Sequence, residues 1–195
     1  MKNRGGVKSV LMAGVGGQGI LKASDMLCQA MMEAGQDVKK SEVHGMAQRG
    51  GCVTSHVRYG NKVYSPIAGK GDVDILVSFE KMETLRYLDF VKRSGTIIIN
   101  DREIYPPSVN LGNTPYPDDV PSRVAGIFKN VKVVNATNLA LSAGDPRAEN
   151  VALLGVLSTF LKQLDTVIWE KVIKKSFDEK AVDINLKAFR MGRAA

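Results

Sequence analysis

Long hydrophobic runs are missing from this sequence. The longest, "VALLGVLSTFL" at residues 151–161, falls well short of the ~20 residues a membrane span needs, so no spanning segment is expected. Nor does a secretory leader stand out: Lys2, Arg4 and Lys8 are followed by a short, glycine-rich stretch. Cysteine is scarce. Cys28 and Cys52 form no C-x-x-C, so neither an iron–sulfur cluster nor a zinc site can be built from them. The pair could form one disulfide, but two buried thiols in a reducing compartment fit better, and the chain reads as cytoplasmic. A basic stripe is also lacking. Lys and Arg number 27 against 20 acids, a net charge of +7, yet they are scattered, densest at Lys39–Lys40 and at Lys171, Lys174 and Lys175. Without interleaved aromatics they read as a solvated surface rather than a nucleic-acid interface, although the net charge would attract an anionic ligand or acidic partner.

What is present suits one α/β domain spanning residues 1–195. The 44% hydrophobic content is ordinary globular usage, and the length supports a full core. "VKSVLMA" (7–13) predicts a buried strand. Ile20, Ala23, Leu27, Ala30, Met31 and Ala34 then repeat at helical spacing and stop at Gly35. "QDVKKSE" (36–42) predicts a weak second strand. "CVTSHVRYGNKVYSP" predicts a hairpin turning at Gly60–Asn61, with His56 on a strand surface. "VDILVSF" (73–79), a helix over 81–93 and "TIIIN" (96–100) continue the alternation, and "VKVVN" (131–135) returns to the sheet. Five of the seven prolines fall within residues 101–130, which predicts an irregular excursion suited to an interface. The last third is helical. Its stripe of Leu153, Leu154, Leu157, Phe160, Leu161 and Leu164 widens almost all round, so this helix is either central or covered by another chain. The pattern predicts a three-layer sandwich: a largely parallel sheet, helices on both faces, a Rossmann-like first βαβ unit and a hairpin.

Two loops carry the chemistry. "GVGGQG", from Gly14 through Gly16, Gly17 and Gln18 to Gly19, joins the first strand to the first helix. Its glycines permit a tight turn and close ligand approach, and the helix start offers free N–H groups to an anion. Glu42 stands where a ribose-binding acid would be, though Lys39–Lys40 just before it do not favour that role. The second loop, "HGMAQRGG" (44–51), follows the second strand. Carboxyl ends of parallel strands share one edge, so the two loops should meet there. That would gather Gln18, His44, Gln48, Arg49 and Gly50 over glycine backbone. Arg49 can clamp an oxyanion with two N–H groups, and His44 can donate or titrate near neutrality. The plainer alternative is that both side chains only tie loop to loop.

"GVGGQG", "SEVHGMAQRGG", "VTSHVRYGNKVYSP", "DILVSFE", "TIIIN" and "NVALLGVLS", in that order, resemble the gamma-type subunit of 2-oxoacid:ferredoxin oxidoreductases, and within it the small subunit of the indolepyruvate type. The likeness covers roughly residues 7–190. It implies a single pyruvate/ketoisovalerate oxidoreductase gamma-type domain in a complex that decarboxylates a 2-oxoacid, forms acyl-CoA and reduces ferredoxin. The same resemblance implies thiamine diphosphate, Mg and 4Fe–4S clusters on a large alpha subunit, with CoA as co-substrate. This chain lacks a Gly-Asp-Gly motif and a cysteine cluster, so no cofactor is assigned to it alone. It would be inactive by itself, with His44 and Arg49 as candidate groups at the shared active site. Two other readings stay open: a self-sufficient NAD(P)-binding oxidoreductase, and a purely structural subunit.

Overall fold

The computed structural model describes residues 6–44 and 51–195, with His44 described by its backbone. Strands β1 (Lys8–Val15), β2 (Asp37–His44), β3 (Cys52–Gly60), β4 (Val73–Ser78), β5 (Val91–Asn100) and β6 (Asn130–Val134) form one six-stranded sheet in the order β2-β3-β1-β4-β5-β6. β1, β4, β5 and β6 run parallel. β3 is antiparallel to both β1 and β2, so β2 runs in the same direction as β1 with β3 between them.

This sheet departs from the expected hairpin. The chain does leave the sheet at Gly60, but residues 61–72 form no strand. β3 pairs instead with the preceding β2, and Asp37 at the start of β2 accepts from the Val63 N–H. Pro66 in the supposed return strand offers no ladder donor. His56 is corrected as well. It is 6% exposed, with Nδ1 accepting the Ala68 N–H at 3.3 Å and its ring edge-on to Phe90. Alternation alone could not reveal that the segment after β3 covers this face.

One face carries α1 (Ile20–Glu33), α5 (Ala136–Ala143), α6 (Glu149–Ser158), α7 (Thr166–Ser176) and α8 (Glu179–Ala194). On the other lie α2 (Lys81–Arg86) and α4 (Val120–Ala125) with the Ala68 segment; α3 is the short turn Pro107–Asn110. The expected helix over 81–93 ends at Arg86, and a single 3-10 turn, Leu88–Phe90, leads into β5. Gly95 sits inside β5, near a register shift against β4. A Cβ there would lie 2.6 Å from Val91, so this glycine marks an irregular strand.

α6 is buried along its whole length by this chain's own elements, so of the two alternatives its girth left open it is the central helix, and no second chain is needed to cover it. Gly155 of α6 and Gly192 of α8 let the backbones touch: a Cβ at Gly155 would lie 2.1 Å from the Phe189 carbonyl oxygen. The Pro-rich excursion holds two short helices, α3 and α4, with Val120 and Val124 of α4 buried against the sheet. Among the described residues, no helix is long and apolar enough to cross a membrane.

Candidate functional site

β1 delivers the glycine turn to the carboxyl edge of the parallel strands. Gly19 caps α1 with φ +75° in the left-handed region, and no side chain caps the helix. The first N–H groups of α1 therefore face outward without a side-chain acceptor, as an anion site requires. Gly17, at φ +102°, has open space where a Cβ would stand. Gly14 has none: a Cβ would lie 2.7 Å from both Gln18 Oε1 and Phe79 Cβ. Gln18 holds the turn. Its Oε1 accepts the Val15 N–H at 2.8 Å, and its Nε2 donates to the Phe79 carbonyl at 2.7 Å. That ties the ends of β1 and β4 together and occupies the amide with the turn.

The ends of the second loop lie beside this turn. Gly14, Val53 and His44 are register neighbours across β1, β3 and β2, and the Gly16 N–H donates to the Gly51 carbonyl at 2.8 Å. Gln48, Arg49 and Gly50, together with the His44 side chain, lie outside what the structure describes. Glu42 lies on β2, across β3 from the glycine turn, and bonds Lys40.

A cleft of about 470 Å³ opens over the turn. Gly16, Gly17, Gln18 and Gly19 form one wall; Arg102 and Ile104, just past β5, and Thr137, Pro146, Arg147 and Glu149 form the other. Below it a polar cluster joins four elements. Asn100, fully buried at the end of β5, donates to the Phe79 carbonyl and to Glu149, and its Oδ1 accepts the Ala136 N–H at 3.0 Å. Glu149, buried in the first turn of α6, also receives Arg102 and the Thr137 hydroxyl. Arg147 is held by Asp145 through Nε and Nη2, at 2.9 and 2.6 Å to Oδ2. That pairing pushes the Arg147 pKa up and holds Asp145 below the usual carboxylate range. Each guanidinium has five N–H donors, so Arg102 and Arg147 retain donors beyond those spent on their carboxylates. The cleft combines glycine backbone, an uncapped helix start and two guanidinium groups, a set suited to phosphate or carboxylate.

Sequence reasoning found the glycine wall and missed Arg102, Thr137, Arg147 and Glu149. Arg102 was within reach, since it follows a parallel strand at the edge where ligands bind. Arg147 and Glu149 were hidden, because "GDPRAEN" looks like a plain turn until α6 is seen to start beneath β5. No group of three or more His, Cys, Asp or Glu side chains suited to a metal ion occurs among the described residues.

The profile of a family described as pyruvate ferredoxin/flavodoxin oxidoreductase matches residues 9–195. The indolepyruvate oxidoreductase subunit IorB of Archaeoglobus fulgidus is 39% identical over 94% of this chain and 92% of its own length. The crystal structure of the pyruvate oxidoreductase subunit PORC of Thermotoga maritima superposes with a TM-score of 0.71 at 24% identity, covering 96% of both chains. A 2-oxoglutarate:ferredoxin oxidoreductase chain from Magnetococcus marinus, solved with 2-oxoglutarate, coenzyme A and succinyl-CoA, superposes with a TM-score of 0.74 at 21% identity, this chain spanning 30% of it. The chain belongs to the pyruvate ferredoxin/flavodoxin oxidoreductase family, as a gamma-type small subunit of a 2-oxoacid:ferredoxin oxidoreductase.

Proposed function

We propose that this chain is the small subunit of an oxidoreductase acting on indolepyruvate and related aryl pyruvates, converting them with CoA to acyl-CoA and CO2 while ferredoxin takes the two electrons. The observation carrying this reading is the 39% identity, end to end, with a protein named for indolepyruvate. The chemistry of the chain agrees. Two cysteines cannot hold a 4Fe–4S cluster, so the clusters, the thiamine diphosphate and its Mg belong to a large alpha subunit. Thiamine diphosphate supplies the carbanion chemistry when bound there. This chain contributes position and charge. Gly16, Gly17 and Gly19 offer backbone, Arg102 and Arg147 offer guanidinium N–H groups, and Gln18 and Gly14 keep the turn in shape. His44, Gln48, Arg49 and Gly50 are assigned to the same donor set from their place in the sequence, supported by the Gly16 N–H bond to the Gly51 carbonyl that closes their loop. The cleft receives an anionic group of a reactant held by the large subunit, either a CoA phosphate or the 2-oxoacid carboxylate, by electrostatic positioning and not by a covalent step.

A cytoplasmic setting goes with this reading. An NAD(P)-binding role draws less support, because β3 separates Glu42 from the glycine turn and Lys40 holds its carboxylate. The test is co-expression with a large subunit that carries the thiamine and cluster motifs, then assay of the purified complex against a panel of 2-oxoacids with CoA and ferredoxin. Indolepyruvate and aryl pyruvates should give the highest kcat/KM. A preference for pyruvate, branched 2-oxoacids or 2-oxoglutarate overturns the substrate assignment, and failure to co-purify overturns the subunit role.

A further inference from the structure

β2 stands at one end of the sheet, and among the described strands it has a neighbour on one side only. It is eight residues long, contains no proline and keeps unbroken register against β3. The opposite edge strand, β6, has five residues. Long, regular edges invite pairing with another chain unless they are blunted. β2 carries Lys39 and Lys40, yet near its end Val43 is 54% exposed.

Its sequence, "DVKKSEVH", restricts what can pair with it. Val38 packs into the core beneath α1, and Lys40 reaches Asp25 of α1. Alternation puts Glu42 on that same face and Lys39, Ser41 and Val43 on the other. A second copy can add antiparallel only about a two-fold axis perpendicular to the sheet, which seats one residue opposite its own copy. Centring on Lys39, Lys40 or Glu42 sets like charges face to face. Centring on residues nearer either end overlaps little of the strand. Centring on Ser41 overlaps residues 38–44 and places Lys40 opposite Glu42 twice, once on each side of the axis. It also lays the Lys39 stem over the exposed Val43, a contact lysine methylenes readily make.

We propose that two copies of this chain join through their β2 edges, antiparallel and centred on Ser41, merging two sheets into one. The surface is separate from the cleft and does not depend on the substrate. The test combines sedimentation velocity with cross-linking on the full chain, alone and in complex with its large subunit. The wild type should be a dimer at micromolar concentration. Val43→Lys, which faces Lys39 of the second copy, should raise the dimer dissociation constant by about tenfold or more. Val43→Glu at the same exposed site should keep the dimer. Ser41→Cys should oxidise to a covalent dimer, and Lys39→Cys should not, since only residue 41 meets itself at the axis. Background is low because burial holds the Cys28 thiol at about 12 and the Cys52 thiol at about 11, and protonated thiols oxidise slowly. A monomer in every preparation, a dimer that tolerates Val43→Lys, or equal cross-linking at both cysteine positions overturns the proposal. So does a Ser41→Cys cross-link that forms only to the large subunit, which would assign the edge to that chain.

Discussion

Gln18 shows how a residue in a binding motif can act on the protein itself. Both ends of its amide bond backbone, so Gln18→Ala strands the buried Val15 N–H. The expected cost is about 1–3 kcal/mol of stability, measured by denaturant unfolding, with a weaker anion site as a secondary effect. His56 gives a pH signature. Burial first, and the nearby Arg58 charge second, lower its pKa below the usual 6.5. The unfolded chain therefore binds the proton more readily than the folded one. Stability is fully present above about pH 6.5 and declines as pH falls from there toward the folded-state pKa, by at most about 1.4 kcal/mol per pH unit from this one group. His56→Gln, which retains an acceptor for the Ala68 N–H, should flatten the dependence in that window. An unchanged slope in pH-resolved thermal unfolding would remove His56 as the cause. Neither role was legible beforehand: the sequence marks Gln18 as a ligand and His56 as a surface residue, because their partners come from β4 and the Ala68 segment.

At the scale of elements, strands flanked by glycine and rich in Val and Ile were plain in the sequence. β1, β4, the end of β5 and β6 lie close to where pattern places them, and α1 stops at Gly35 as expected. Pairing was not legible. Gly60–Asn61 has the chemistry of a two-residue turn, but residues 61–72 lack the donors and alternation of a partner strand, so β3 folds back on β2. The girth of α6 was readable, its cover was not. That cover is α8, which comes close only because Gly155 and Gly192 lack side chains. Gly155→Ala should cost about 3 kcal/mol or more, since backbone must move to make room. A thermal midpoint within about 1 °C of wild type would show that the α6–α8 contact is looser than this geometry requires.

For the whole molecule, the sheet order puts the carboxyl ends of β1, β4 and β5 and the amino-terminal ends of α1 and α6 around one cleft. The rim was predictable because parallel strands fix which edge receives ligands. Its arginine wall was not, because Arg102 and Arg147 are 45 residues apart in sequence and line one cleft only once the segment before α6 is folded against the end of β5. The measurement that bears most directly on the central claim is steady-state kinetics of the assembled complex carrying Arg147→Ala or Arg102→Lys. Arg147 is exposed, and Arg102→Lys preserves a cation for Glu149, so both variants should assemble. KM for one anionic reactant, CoA or the 2-oxoacid, should rise on the order of tenfold or more while kcat changes less. Unaltered KM for both reactants in both variants would contradict an anion site in this cleft.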